Sequence, residues 1–168
     1  MPSAARRTRP APAIDILVES PLWRAAPDAA AVLRRAIGEA CTVVGKPADA
    51  TKLAIVLYDD AEICKLNGRW RGRAEPTNVL SFPAAAHAGT TATLGDIAIA
   101  YETTAREAAA DGKRFADHLA HLAVHGFLHL LGYDHQADDE ADAMERLERL
   151  ILARLGVADP YAVGDSAT

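Results

Sequence analysis

From His125 to His135 the chain reads His-Gly-Phe-Leu-His-Leu-Leu-Gly-Tyr-Asp-His, three histidines in the spacing H-x3-H-x2-G-x2-H. On an α-helix, His125 and His129 stand about 40° apart around the axis and about 6 Å along it. Two imidazoles one turn apart can share one ion at about 2 Å each. His135 would lie roughly 240° further round if the helix continued, so the chain has to turn before reaching it. Gly132 suits the left-handed position that ends a helix. Three neutral nitrogen donors leave the fourth tetrahedral position open, the pattern of a catalytic metal site, and imidazole puts zinc first among the metals.

The rest of the chain supplies a frame for that helix. Ile14 to Val18, Lys52 to Tyr58, Asn78 to Phe82 and Leu94 to Ala100 read as strands, rich in β-branched and apolar residues. Pro83 is expected to stop the third of them. Helical periodicity runs from Asp28 to Cys41, and Asp59 or Asp60 can cap a second helix that turns Ile63, Leu66 and Trp70 inward. A third helix begins at Ala105, and Asp117 to Leu131 carries the histidines. The last runs from about Asp138 to Leu155, with Met144, Leu147, Leu150, Ile151 and Leu155 towards the core. Four strands and about five helices without regular alternation predict an α+β fold, a small mixed sheet packed with helices.

The length of 168 residues and an apolar half favour one globular domain, taken as residues 14–161. Residues 1–13, with Arg6, Arg7 and Arg9 among prolines and alanines, read as a flexible basic arm, and 162–168 as a flexible tail. No apolar run approaches membrane-span length. Cys41 and Cys64 match no zinc or redox spacing, which suits buried free thiols in a reducing cytoplasm. The net charge of −5 argues against a generally adhesive nucleic-acid coat. Six acidic residues from Asp138 to Glu148 crowd one helix, whereas Arg69, Arg71 and Arg73 form a separate basic cluster.

His118 and His121 extend the histidine face upstream. One ion cannot be reached from three turns of helix, so these two are expected to pack beneath the site or hydrogen-bond around it. His87, in the loop from Ala84 to Thr93, carries no specific expectation. Asp134 is placed to orient a ligand ring or to stand in an exposed loop. Zinc proteases with this histidine spacing place a glutamate directly after the first histidine as the base. Gly126 stands there, and glycine cannot take a proton. A metal can still lend Lewis acidity or hydroxide, so the chemistry need not be proteolysis. The arginine cluster suits phosphate oxygens, which guanidinium grips in a two-pronged fashion, although composition alone favours a solvated loop.

Taken together, His125-Gly126-x-Leu128-His129-Leu130-x-Gly132-Tyr133-Asp134-His135 and Pro76-Thr77-Asn78-Val79-Leu80-Ser81-Phe82-Pro83 resemble the YbeY family of bacterial endoribonucleases. Leu66-Asn67, Arg71-Gly72, Leu94-Gly95-Asp96 and Asp159-Pro160-Tyr161 fit in the same order, so the resemblance covers about Ile14 to Tyr161. It implies a metal-dependent endoribonuclease acting on single-stranded RNA. The associated roles are maturation of the 3′ end of small-subunit ribosomal RNA and ribosome quality control, with the small subunit and assembly factors as partners and no DNA or membrane. It implies His125, His129 and His135 as ligands of one zinc ion, Arg71 and His125 as the residues of catalysis, and Ser81 and Asp96 as cleft positions. Trp70 stands where tyrosine is common, and Ala74 replaces a frequent acidic residue. Two rival readings are a ribosome-assembly factor with structural zinc and a zinc peptidase, the second disfavoured by Gly126.

Overall fold

The computed structural model describes residues 12–46, 50, 52–84, 93–134 and 136–162. The sheet has four strands, β1 (Ala13–Val18), β2 (Lys52–Tyr58), β3 (Val79–Pro83) and β4 (Thr93–Ala100), in the order β1-β2-β4-β3. The β1–β2 and β2–β4 pairs are parallel and β3 is an antiparallel edge, so the sheet is mixed and the fold is α+β. Five helices complete it: α1 (Ala29–Val44), α2 (Asp60–Arg71), α3 (Tyr101–Ala110), α4 (Phe115–Leu130) and α5 (Asp138–Arg154). A short 3-10 helix at Pro21–Ala25, opened by the Ser20 cap and Pro21 and absent from the sequence expectations, places Trp23. The Trp23 indole donates to the Tyr58 carbonyl at 3.0 Å and meets Tyr101 and Phe115 edge-on. Residues 1–11 of the arm, 163–168 of the tail, His87 and His135 lie outside the described residues.

The two faces of the sheet are covered unequally. Leu53, Ile55, Leu57, Ile97 and Ile99 join α1, α4 and α5 in the main core. Ile63, Leu80, Ala98 and Ala100 make a smaller cluster on the other face, where α2 packs, with Tyr58, Leu66 and Phe82 at its margin. Alternation along β4 is broken once. Lys52 pairs with Thr93 but Ala54 with Asp96, so β4 carries an extra residue relative to β2. Leu94 and Ile97 therefore share the main core although three residues apart, and Asp96 is turned to the α2 side.

Gly95 is the residue that permits this. Its φ is +135°, and a Cβ there would overlap the Phe82 carbonyl oxygen and press on Ala84 N and Leu130 Cδ2, both at 3.0 Å. Gly95→Ala is expected to destabilise the fold by at least about 3 kcal/mol, since backbone strain and a clash with fixed backbone add. A thermal melt followed by circular dichroism would show it; a midpoint within about 2 °C of the parent would contradict the reading.

Several sequence expectations shift in detail. Trp70 does not face inward: it is 62% exposed, at the open end of α2. Leu150 likewise points to solvent, because the buried stripe of α5 runs through Met144, Glu148, Ile151 and Leu152. Cys41 is buried, which pushes its thiol up to about 11, whereas Cys64 is only partly covered; both are free. Pro83 is the last residue of β3 rather than a stop before it, tolerated on an edge strand. Helix α3 begins at Tyr101 instead of Ala105, because its first turn is capped from another element. Asp60 Oδ1 accepts from the Thr103 N–H at 3.0 Å and the Thr103 hydroxyl at 2.8 Å. Asp59 is the cap of α2, accepting from the Glu62 N–H at 2.9 Å. Among the described residues no helix is long and apolar enough to cross a membrane.

Candidate metal centre and its cleft

Helix α4 ends as the glycine spacing requires. Gly132 has φ +100°, its N–H bonds to His129 O at 3.0 Å, and the Tyr133 N–H reaches back to Leu128 O at 3.1 Å. Those two bonds define the left-handed glycine cap that satisfies the last helical carbonyls. The cap also shapes the site. His129 Nδ1 lies 2.8 Å from the Tyr133 carbonyl, so the turn that ends the helix fixes the orientation of the ring. A carbonyl only accepts, which assigns the proton to His129 Nδ1 and leaves a lone pair on Nε2.

His125 is fixed in a parallel way from α5. Its Nδ1 lies 2.8 Å from Glu148 Oε1, and Glu148 Oε2 takes His121 Nε2 at 2.7 Å and the Tyr161 hydroxyl at 2.6 Å. Glu148 is fully buried. Burial alone would raise its pKa, but hydrogen bonds from His121, His125 and Tyr161 outweigh it and bring the carboxyl down to about 2. Tyr161 is pushed up, by burial first and then by its bond to Glu148. Glu148 is therefore a carboxylate at working pH and no proton donor to a leaving group.

The two Nε2 atoms, of His125 and His129, face each other at 3.0 Å. With both Nδ1 atoms donating, this sets two lone pairs towards one point, which is unfavourable unless a cation or a shared proton lies there. Two nitrogens on one tetrahedral zinc at about 2.0–2.1 Å would stand roughly 3.3 Å apart. The donor set fits a metal ion on this observation. His121, His125 and Glu148 form an overlapping group that could also hold one, their ligand atoms lying within 4.8 Å of one another. There, both carboxylate oxygens are already engaged by hydrogen bonds. That arrangement, a carboxylate behind a histidine, orients the ring and raises the basicity of its far nitrogen.

Across a cleft of about 710 Å3 from these rings stands the end of α2. Gly72, with φ +72°, closes that helix through its N–H to Asn67 O, leaving Arg71 as its last residue at the cleft wall. Arg73, Glu75, Ser81 and Asp134 line the same cleft. Arg71 and the histidine helix are mechanically joined. Arg71 donates to Ser81 O at 3.1 Å, and the buried Ser81 hydroxyl donates to Gly126 O at 3.0 Å. Ser81 thus bridges edge strand and helix, a positioning role that its place in the sequence motif does not reveal.

Gly126 marks that close approach. A Cβ there would meet Ile97 Cγ2 and Ser81 Oγ at 3.1 Å, so position 126 looks into the sheet. A glutamate could not stand there as the base of a peptidase without prising α4 from β4. His118, two turns before His125, pairs with Glu107 at 2.9 Å. Asp96 does not line the histidine cleft; it belongs to a neighbouring pocket that shares Arg71, Ser81 and Pro83 with it. Sequence placed Glu148 in the acidic helix and Tyr161 in the closing Asp159-Pro160-Tyr161 block, but gave neither a role at the site. The signal for Glu148 was a carboxylate set in the apolar stripe of Met144, Ile151 and Leu152 on α5.

Fold and site define a metal-fitting cleft flanked by an arginine. The profile of the family described as Endoribonuclease YbeY matches residues 24–156. The chain belongs to that family. A protein named Endoribonuclease YbeY from Rhodopseudomonas palustris (strain BisA53) is 54% identical over 161 residues, covering 93% of this chain and 94% of its own. One of the same name from Nitrobacter winogradskyi is also 54% identical, covering 94% and 86%. The solution structure of TM1509 from Thermotoga maritima shares the fold, with a TM-score of 0.54 at 23% identity over 88% of this chain and 98% of that one.

Proposed function

We propose that the protein is a zinc-dependent endoribonuclease that cuts single-stranded RNA in this cleft. The observation carrying the proposal is the convergence of His125 and His129 Nε2 at 3.0 Å opposite Arg71. His135, six residues beyond His129, is the third ligand on this reading. A bound zinc ion supplies Lewis acidity towards the phosphoryl group. The chain's own residues do the rest. Glu148 and the Tyr133 carbonyl hold the two imidazoles in the tautomer that presents Nε2. The Arg71 guanidinium, steadied on Ser81 O, grips the phosphate and stabilises the charge that develops on its oxygens. The 3′-end maturation of small-subunit ribosomal RNA and ribosome quality control, in the cytoplasm, are the setting that the family resemblance supports. A net charge of −5 fits a protein guided to its RNA by the small subunit or assembly factors rather than by bulk attraction.

Arg71→Ala is expected to lower the rate of RNA cleavage by about 10²–10³-fold while leaving metal content at the parent level. Gel-resolved cleavage of an unstructured RNA, with metal analysis of the same preparation, reads both quantities. Cleavage at the parent rate would remove Arg71 from the mechanism.

A further inference from the structure

The half of the sheet that α2 leaves uncovered forms a second pocket, of about 590 Å3, lined by Val56, Tyr58, Leu66, Trp70, Phe82 and Asp96 among others. It opens beside the metal cleft, and Arg71, Ser81 and Pro83 form the wall between the two. Its chemistry is unlike that of the cleft: the walls are apolar and aromatic, with one carboxylate. The Trp70 ring, 62% exposed, stands 6.3 Å from Phe82 at an interplanar angle of 64°. The Arg69 guanidinium lies 5.5 Å from the Trp70 ring centre. An exposed tryptophan is costly to keep wet, and aromatic rings beside guanidinium groups are what unpaired bases stack upon. The β4 irregularity at Gly95 is what turns Asp96 into this pocket rather than towards the histidines.

We propose that this pocket is a nucleobase subsite, seating the base of a nucleotide whose phosphate is held by Arg71, and that it favours guanine. The ring stacks on Trp70. The Asp96 carboxylate accepts from the two parallel donors of guanine, its N1–H and its exocyclic amino group, a two-pronged match that no other RNA base offers. Arg69 and Arg71 meet the phosphates on either side. The subsite rests on the RNA-cleaving reading of the adjoining cleft and adds to it a preference for the base at the cut.

The test is fluorescence anisotropy with labelled, 2′-O-methylated uridine heptamers carrying one central guanosine or inosine, on the full-length zinc-loaded protein, alongside cleavage of the unmodified RNAs. The parent is expected to bind the guanosine oligomer more tightly, inosine lacking the amino group. Trp70→Ala should weaken binding of both by roughly 5- to 100-fold, with recovery in Trp70→Phe. Asp96→Ala should bring the guanosine-to-inosine ratio close to one. Equal binding by parent and Trp70→Ala, a ratio unchanged in Asp96→Ala, or no binding by the parent overturns the subsite. A parent that binds with this preference but leaves unmodified RNA intact upholds the subsite and refutes the cleavage reading instead.

Discussion

His129→Ala is expected to abolish both metal retention and RNA cleavage. The ring contributes one of two Nε2 atoms that face each other at 3.0 Å, and its Nδ1 ties the end of α4 to the Tyr133 carbonyl. Loss of a group that merely orients a ligand typically costs 10- to 100-fold in metal affinity, so loss of the ligand itself should exceed about 100-fold. Helix α4 should survive, because its glycine cap rests on backbone bonds from Gly132 and Tyr133. Elemental analysis after gel filtration, paired with a thermal melt, separates the two effects: metal lost, fold kept. A variant that retained a full equivalent of metal would show that the ion, if bound, is held by other groups, of which His121, His125 and Glu148 are the first to examine.

Glu148 gives the second large effect, and it divides between stability and chemistry. The carboxylate is fully buried and takes His121, His125 and Tyr161 together. Glu148→Ala strips three donors of their acceptor and opens a hole beneath α4, for which roughly 3–5 kcal/mol is the expected loss, near the limit of what a small domain survives. Glu148→Gln keeps the volume and one acceptor oxygen, and should fold. Its amide nitrogen now opposes an imidazole N–H, so the orientation of His125 or of His121 fails. Metal affinity should fall 10- to 100-fold in that variant while the overall fold persists. The pH dependence has a definite sign. The carboxyl is lowered from its ordinary 4.5 to about 2 in the folded chain, so its contribution is complete above 4.5 and is lost as pH falls through about 2. Urea titrations of parent and Glu148→Gln should therefore differ most above pH 4.5 and draw together below it. A constant gap across that window would mean that the charge on Glu148 is not what stabilises the fold.

How much of this could be read from the chain alone follows from the range of the interactions. The end of α4 was legible because a glycine cap is local: Gly132 lies within three residues of His129, and its conformation needs no distant partner. The strands and the buried stripe of α1 were legible for the same reason, through periodicity. Trp70 and Leu150 were misplaced because an apolar residue on a helix gives its angle but not what stands opposite. For Trp70, none of the described residues packs over that half of the sheet. The start of α3 was missed because its cap, Asp60, comes from 43 residues upstream. The supporting shell of the site escaped for a related reason. Glu148 reads as one more acid in an acidic helix until its neighbours Met144 and Ile151 show that it faces inward. Asp96 was expected as a cleft position, yet a single extra residue in β4 turns it to the α2 side of the sheet, into the neighbouring pocket. Ser81 belongs to a motif that the sequence displays, but its bond to Gly126 O crosses 45 residues. That bond explains a feature the sequence presented only as an absence, the glycine where a peptidase carries its base.

The central claim is that one metal ion between His125 and His129 is required for RNA cleavage opposite Arg71. It is tested most directly by stripping the purified protein with a chelator, returning one equivalent of zinc, and following cleavage of an unstructured RNA at each stage, with casein as the control substrate. The account predicts that cleavage disappears on stripping, returns with one equivalent, never returns in His129→Ala, and that casein stays intact throughout. RNA cut equally well by the stripped protein, or by parent and His129→Ala alike, would contradict it.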